Sequence, residues 1–482
     1  MKKDYSQYFR RPSTKDARKR TRDDIPNIDF ENHLNIKHLG KGKHYLIQTY
    51  GCQGNEADTE TMKGLLHQLE FKETEDETKA DLILLNTCAI RENAENRVFG
   101  ELGRLKQYKK LNPDLLIGVA GCMPQEETVV DRLLMKYPYV DIIFGTHNIY
   151  KIPEYLETAM HAKERVIEVF SDEGAIIENL PKKREHSHKA WVNIMYGCDE
   201  FCTYCVVPYT RGKERSRHPE QIIDEIHKLV HDGYQEVTLL GQNVNSYGRD
   251  FLDRDYTFSH LLNDLAKTGI NRIRFTTSHP KDFDEATIDA IAAHDNIMPH
   301  IHLPVQSGSN RVLKKMNRKY TKESYLELIE LIYRKIPDVS ITTDIIVGFP
   351  EEDDQAFEDT LDLVRKSQFE GAFTFIFSPR AGTPAAKYHD ETSPSTKKAR
   401  LNTLNKLINE GYLRGNKRFE NKIVEVLVDG ESKNKANILA GYTKHNKLVN
   451  FEGNRSLIGK LVNVKVTEAK TWFLLGELYE ES

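Results

Sequence analysis

From residue 43 onward, short apolar runs bounded by polar turns alternate with amphipathic stretches, and the order of the two patterns divides the chain. Strand-like runs at 44–49, 82–87, 115–120 and 141–144 are separated by helical periodicity near 56–70, 91–111 and 126–137. This βαβ alternation predicts an open parallel α/β sheet. Six more strand-like runs, at 191–195, 236–240, 272–277, 299–305, 340–347 and 372–377, are spaced by helical patterns at 219–231, 283–293, 322–334 and 354–367. Six βα units predict a partial barrel, whose chemistry belongs at the carboxyl ends of its strands. Five short runs at 423–428, 436–442, 447–451, 461–467 and 472–478 then predict a small β-barrel. The fold class is α/β, in five parts: a flexible basic arm (1–42), an open α/β domain (43–165), a polar linker (166–189), a partial (βα)6 barrel (190–418) and a β-barrel (419–482).

At 482 residues the chain is too long for one core, in keeping with this division. Lys plus Arg number 69 against 73 Asp plus Glu, a net charge of −4, so any nucleic-acid site must be local. The first 22 residues hold nine Lys/Arg and two acids, and 397–418 hold seven Lys/Arg and one Glu. The first reads as a solvated tail or a weak RNA contact, the second as a positively charged strut or an ordinary solvated helix face. Barrels of the last kind bind oligonucleotides by aromatic stacking, for which Tyr442, Phe451, Trp472 and Phe473 are candidates, although some of these aromatics belong to the core. No apolar leader and no run of eighteen apolar residues occurs, so the chain reads as soluble and cytoplasmic, with reduced thiols.

The six cysteines change the picture most. Cys198, Cys202 and Cys205 form a C-x3-C-x2-C loop just after the first strand of the second α/β region. Three thiolates can hold three irons of a [4Fe-4S] cube and leave the fourth iron open to a small molecule. A zinc site wants four ligands, and His218 is the one candidate to complete it. The other three, Cys52, Cys88 and Cys122, each follow a strand of the first domain, where the carboxyl ends of parallel strands form a ligand crevice. They mark a second site or are buried core thiols. An open iron suits S-adenosylmethionine, whose amine and carboxylate can chelate it and whose C–S bond one electron cleaves. Strand-end loops offer polar groups for such a cofactor at Gln242 and Asn243, at Ser278 and at Gln306 and Ser307, or those residues make turns and caps.

The C-x3-C-x2-C loop with Tyr204 before its last cysteine resembles radical S-adenosylmethionine enzymes, and the three-part layout resembles their methylthiotransferase branch. The segments 49–56, 205–212, 241–248 and 378–384 are similar to members that modify isopentenylated adenosine in tRNA. The resemblance runs from about Lys43 to the end. It implies a radical S-adenosylmethionine barrel followed by a TRAM-like RNA-binding β-barrel. It further implies two [4Fe-4S] clusters: one on Cys198, Cys202 and Cys205 that cleaves S-adenosylmethionine, and one on Cys52, Cys88 and Cys122 that presents methylated sulfur. Tyr204, Gln242, Asn243, Ser278, Gln306 and Ser307 become cofactor contacts, and Arg380, Tyr442 and Trp472 RNA contacts. The implied reaction adds a methylthio group to carbon 2 of N(6)-isopentenyladenosine at position 37 of tRNA, with an external electron donor and a monomeric enzyme; a loop base can leave its stack cheaply. Rival targets are threonylcarbamoyladenosine in tRNA and a ribosomal protein. A rival of another class is a zinc-containing RNA-binding protein. The sequence departs from the family at Phe349-Pro350-Glu351, where Pro-Gly-Glu is usual.

Overall fold

In the computed structural model, which describes residues 27–30, 38–89, 92–169, 176–432 and 437–479, the first sheet has six parallel strands. Their order is Lys72–Glu73, His44–Tyr50, Leu82–Thr87, Leu116–Gly121, Ile142–Phe144 and Val166–Glu168. The central strands read as unbroken apolar runs because both faces are covered. Leu82 and Leu84 enter one core cluster, while Ile83 and Leu85 enter another on the opposite face.

The stretch 166–189, expected as a linker, is largely structural. Val166–Glu168 adds the sixth strand, and Ile176–Glu178 pairs in parallel with Asn27–Asp29 from the expected arm. Residues 1–26 and 31–37 of that arm lie outside the described residues. The polar composition of 178–185 is explained by internal pairing, not by solvation. Arg184 bonds Glu60 at 2.8 Å and Glu225 at 2.7 Å, and Arg217 bonds Glu178 at 2.6 Å and Glu225 at 2.8 Å. The helix Gln53–Gln68 passes directly beneath: a Cβ on Gly64 would come within 2.2 Å of the Pro181 carbonyl oxygen, so only glycine admits this crossing.

The second domain has two three-stranded parallel halves, Lys189–Asn193, Glu236–Leu240 and Arg272–Phe275, then His300–His302, Ser340–Val347 and Ala372–Ile376. A parallel bridge between Ile273 and Ile297 joins them into six strands in sequence order, an open barrel. Val192, Val237, Ile273, Ile301 and Ile345 face one core cluster. The helices Phe258–Leu265 and Asn310–Lys315 are additions to the sequence expectation.

The last domain is a closed five-stranded barrel of Ile423–Glu431, Ile438–Thr443, Leu448–Glu452, Leu474–Leu478 and Leu461–Ala469, in that order. It docks on the open barrel through Arg272, which is 0% exposed and bonds Glu425 at 2.8 Å and the Tyr442 carbonyl at 2.8 Å. The helix Pro394–Lys417 that precedes it is less of a free cationic strut than its composition suggests. Arg400 pairs with Glu352 and Asp354, Lys397 with Asp390, and Arg418 just beyond the helix with Asp338 and Glu370. Among the described residues no helix is long and apolar enough to cross a membrane.

Candidate metal centres

Tyr50, Thr87 and Gly121 lie in register at the carboxyl edge of the first sheet, so the chain leaves three neighbouring strands at one level. Cys88 follows Thr87 and donates its amide to the Tyr50 carbonyl at 3.0 Å; Cys122 follows Gly121 and donates to the Thr87 carbonyl at 2.9 Å. Cys52 caps the start of Gln53–Gln68. A hydrogen bond from Cys88 holds the Cys52 thiol well below its ordinary range, with the Arg211 charge acting in the same direction. Behind the trio sits a buried amide pair that the sequence did not disclose. Asn55 Nδ2 donates to Asn86 Oδ1 at 3.2 Å, and Asn86 Nδ2 donates to the Asn55 carbonyl at 2.8 Å.

Cys198, Cys202 and Cys205 lie on an excursion closed at its base by the antiparallel ladder Met195–Tyr196 with Arg215–Ser216. Its form is fixed from outside: Thr203 donates its amide to the Met316 carbonyl at 3.0 Å, and Asn317 Nδ2 donates to the Phe201 carbonyl at 2.9 Å. Arg318 Nη1 lies 3.3 Å from Cys202 Sγ. Burial pushes the Cys198 thiol well above its ordinary range and Cys205 up to about 12. Metal binding at this loop therefore releases protons.

The two trios are connected. The short helix Val207–Thr210 leads from Cys205 to Arg211, whose side chain reaches into the first domain. Arg211 Nε lies 3.2 Å from Cys122 Sγ, and Nη2 bonds Asp58 at 2.7 Å. Ala89, Cys122 and Val206 pack together at the same junction.

Two thiolates on one zinc, each about 2.3 Å from it, lie no more than about 4.6 Å apart. Among the described residues, the trio of His, Cys, Asp or Glu with all ligating atoms within 4.8 Å of one another is His186, His188 and Asp429, and neither cysteine trio meets that spacing. His218 does not complete the loop site; its ring stacks on Phe251 at the start of Pro219–His231. Each cysteine set supplies three soft sulfur donors, the ligand type and number that fit an iron–sulfur cluster with one iron left open.

The strand-end candidates divide into supports and open groups. Gln242 accepts the Gly197 amide at the start of the cysteine loop. Ser307 is buried, with its hydroxyl engaged by Thr360 and the Ser309 amide, so its side chain shapes the turn. Tyr204 packs edge-on against Phe349. Asn243 Nδ2 bonds Asp282 at 2.7 Å, but its Oδ1, together with the Ser278 hydroxyl and the Asn245 amide, is buried without a hydrogen-bond partner among the described residues. Buried polar atoms of this kind are met by water, an ion or a ligand. Phe201, Thr277 and Gln306 all have left-handed backbones, φ 46°, 68° and 70°. For a β-branched threonine this is a true outlier, and such strain concentrates at functional loops.

Glu351 also sits at φ 70°, while Glu352 accepts the Gly348 amide and pairs with Arg400. Glu351→Gly is expected to raise stability by about 1 kcal/mol, read by thermal unfolding. A fall would show that the Lys315–Glu351 pair outweighs the backbone strain.

Of the proposed RNA contacts, Trp472 is 59% exposed beside Tyr412 and Tyr442 is 37% exposed, whereas Phe451 is core at 2%. Arg380 is part-buried, and its carbonyl accepts from Thr383. Beside the junction, His147 accepts from Arg215 at 3.4 Å, and burial together with Arg215 holds its pKa down to about 3. The folded state refuses a proton that the unfolded chain takes below about 6.5. The His147 contribution is thus intact above pH 6.5 and is lost progressively as pH falls towards 3. Between pH 7 and 5, His147→Gln is expected to lose up to about 2 kcal/mol less stability than the parent in denaturant titrations. Equal losses would refute this.

Family models match all three parts of the chain: the Radical SAM superfamily over residues 192–364, the Uncharacterized protein family UPF0004 over 44–145 and the TRAM domain over 417–479. Among solved structures, the radical S-adenosylmethionine methyltransferase TsrM from Kitasatospora setae, with cobalamin and a [4Fe-4S] cluster bound, superposes with TM-score 0.53 at 14% identity, covering 71% of this chain and 77% of that one. At that identity the likeness concerns the fold. The tRNA-2-methylthio-N(6)-dimethylallyladenosine synthase of Bacillus cytotoxicus is 58% identical over 484 residues, 99% of this chain and 95% of the relative. That of Bacillus subtilis strain 168 is 57% identical over 485 residues, 100% and 95%. Related along its whole length and built of the same three parts, the chain belongs to the radical S-adenosylmethionine methylthiotransferases, in the family of the tRNA-2-methylthio-N(6)-dimethylallyladenosine synthases.

Proposed function

We propose that this protein transfers a methylthio group to carbon 2 of N(6)-isopentenyladenosine at position 37 of tRNA, with two [4Fe-4S] clusters and S-adenosylmethionine. The observation that carries the reading is the pair of three-thiol sites, each short of a fourth cysteine and joined through the segment from Cys205 to Arg211. Cys198, Cys202 and Cys205 hold one cluster, and Cys52, Cys88 and Cys122 the other. When bound, the clusters supply an electron for cleavage of S-adenosylmethionine and a site for sulfur transfer.

The protein's own groups bind and orient. Gln242 fixes the entry to the cysteine loop, and Asn243, Asn245 and Ser278 offer unspent polar atoms to cofactor or base. Tyr442 and Trp472, both exposed on the last barrel, and Arg380 near the end of the open barrel are our candidates for contacts to the RNA. An external donor supplies electrons. The methylthio product differs from the substrate by CH2S.

Mass spectrometry of nucleosides from isopentenylated tRNA, incubated with the reconstituted protein, a reductant and S-adenosylmethionine, tests the assignment. A gain of CH2S on isopentenyladenosine is expected. The same gain on threonylcarbamoyladenosine alone, or on a ribosomal protein alone, would move the enzyme to another branch.

A further inference from the structure

Each cysteine trio has one buried guanidinium within hydrogen-bonding distance of one of its sulfurs: Arg211 Nε at 3.2 Å from Cys122 Sγ, and Arg318 Nη1 at 3.3 Å from Cys202 Sγ. Their surroundings differ in charge. Arg318 spends its other donors on neutral partners, the Tyr320 hydroxyl at 2.8 Å and the Pro304 carbonyl at 3.0 Å. Arg211 is bound at 2.7 Å to the buried carboxylate of Asp58. Arg211 is also the one of the two that crosses a domain boundary, since it belongs to the loop of the second domain and its partners belong to the first. Gly54, in the first turn of Gln53–Gln68, adjoins the pair: a Cβ there would stand in ordinary contact, 3.6 Å from both Arg211 Nη2 and Cys52 Sγ.

We propose that Arg211 is a charge-setting and positioning residue of the amino-terminal centre, supplied across the domain boundary, with Asp58 as its counterweight. This rests on the two-cluster reading above. A cube held by three thiolates is anionic and becomes more so on reduction. A fixed cation beside a ligand sulfur favours the reduced form, and a carboxylate behind that cation opposes it. Burial of all three partners keeps solvent from screening either effect. Removing the cation and removing the carboxylate therefore shift the equilibrium in opposite directions, which a merely structural salt bridge does not do.

The test uses the full-length chain with Cys198, Cys202 and Cys205 changed to alanine, reconstituted anaerobically. Iron content is measured beside a redox titration followed by electron paramagnetic resonance. At the parent's midpoint, Arg211→Met is expected to lower the reduced-to-oxidised ratio at least about tenfold, roughly 59 mV for one electron. Asp58→Asn raises the ratio by a similar factor, and Arg211→Lys stays within about threefold of the parent. If Arg211→Met retains no iron, Asp58→Asn and Arg211→Lys decide the matter. An iron-loaded Arg211→Met or Asp58→Asn protein that leaves the ratio unchanged, or the two moving it the same way, overturns the proposal, as does Arg211→Lys shifting it about tenfold. A parent without iron removes the cluster reading itself.

Discussion

Cys202→Ala is expected to bring S-adenosylmethionine cleavage down to background while the protein keeps about four irons, half of the eight that two cubes would supply. The two trios have separate foundations. Cys52, Cys88 and Cys122 are set by the register of three strands in the first sheet. Cys202 depends on a loop pinned to Met316 and Arg318. Removing one sulfur from that loop also leaves the Arg318 guanidinium buried without its thiol, so the loop loses ligand and anchor together. The first-domain trio keeps every backbone bond that positions it. Iron analysis beside an assay for 5′-deoxyadenosine reads both consequences. Loss of all iron, or cleavage at the parental rate, contradicts separate centres.

The second large effect concerns the segment that the sequence presents as a linker. Arg217→Met is expected to destabilise the protein by about 3–5 kcal/mol, read from the denaturant midpoint of full-length protein, because it leaves the buried Glu178 carboxylate without its partner. Arg217 bonds both oxygens of Glu178, at 2.9 Å through Nε, and also reaches the Asn193 carbonyl at 2.7 Å and Glu225 at 2.8 Å. Glu178 lies on the strand that pairs with Asn27–Asp29, and Glu225 on the helix Pro219–His231. The substitution thus loosens three elements at once. A change under about 1 kcal/mol would mean that this network is worth no more than a surface pair.

The pattern of apolar runs disclosed the central strands of the first domain because that sheet is buried on both faces, and a run such as Leu82–Thr87 has no other use. Loop spacing disclosed the cysteines because cluster chemistry depends on ligand count, which is local in Cys198, Cys202 and Cys205 and follows strand ends in the other three. What stayed hidden depends on distant partners. The run of charges at 182–185 looks solvated until Glu60 and Glu225 come to meet it from two domains. Arg211 looks like one cation in a loop, yet it is the residue that joins the two centres, and Asp58 and Asn55 look like ordinary polar positions on a helix.

Iron, sulfide and zinc determined on the full-length protein after anaerobic reconstitution test the central claim most directly. Two cubes on two thiol trios predict about eight irons and about eight sulfides per chain, with no stoichiometric zinc. About two zinc ions and no iron would contradict the account, and with it the radical chemistry assigned to this fold.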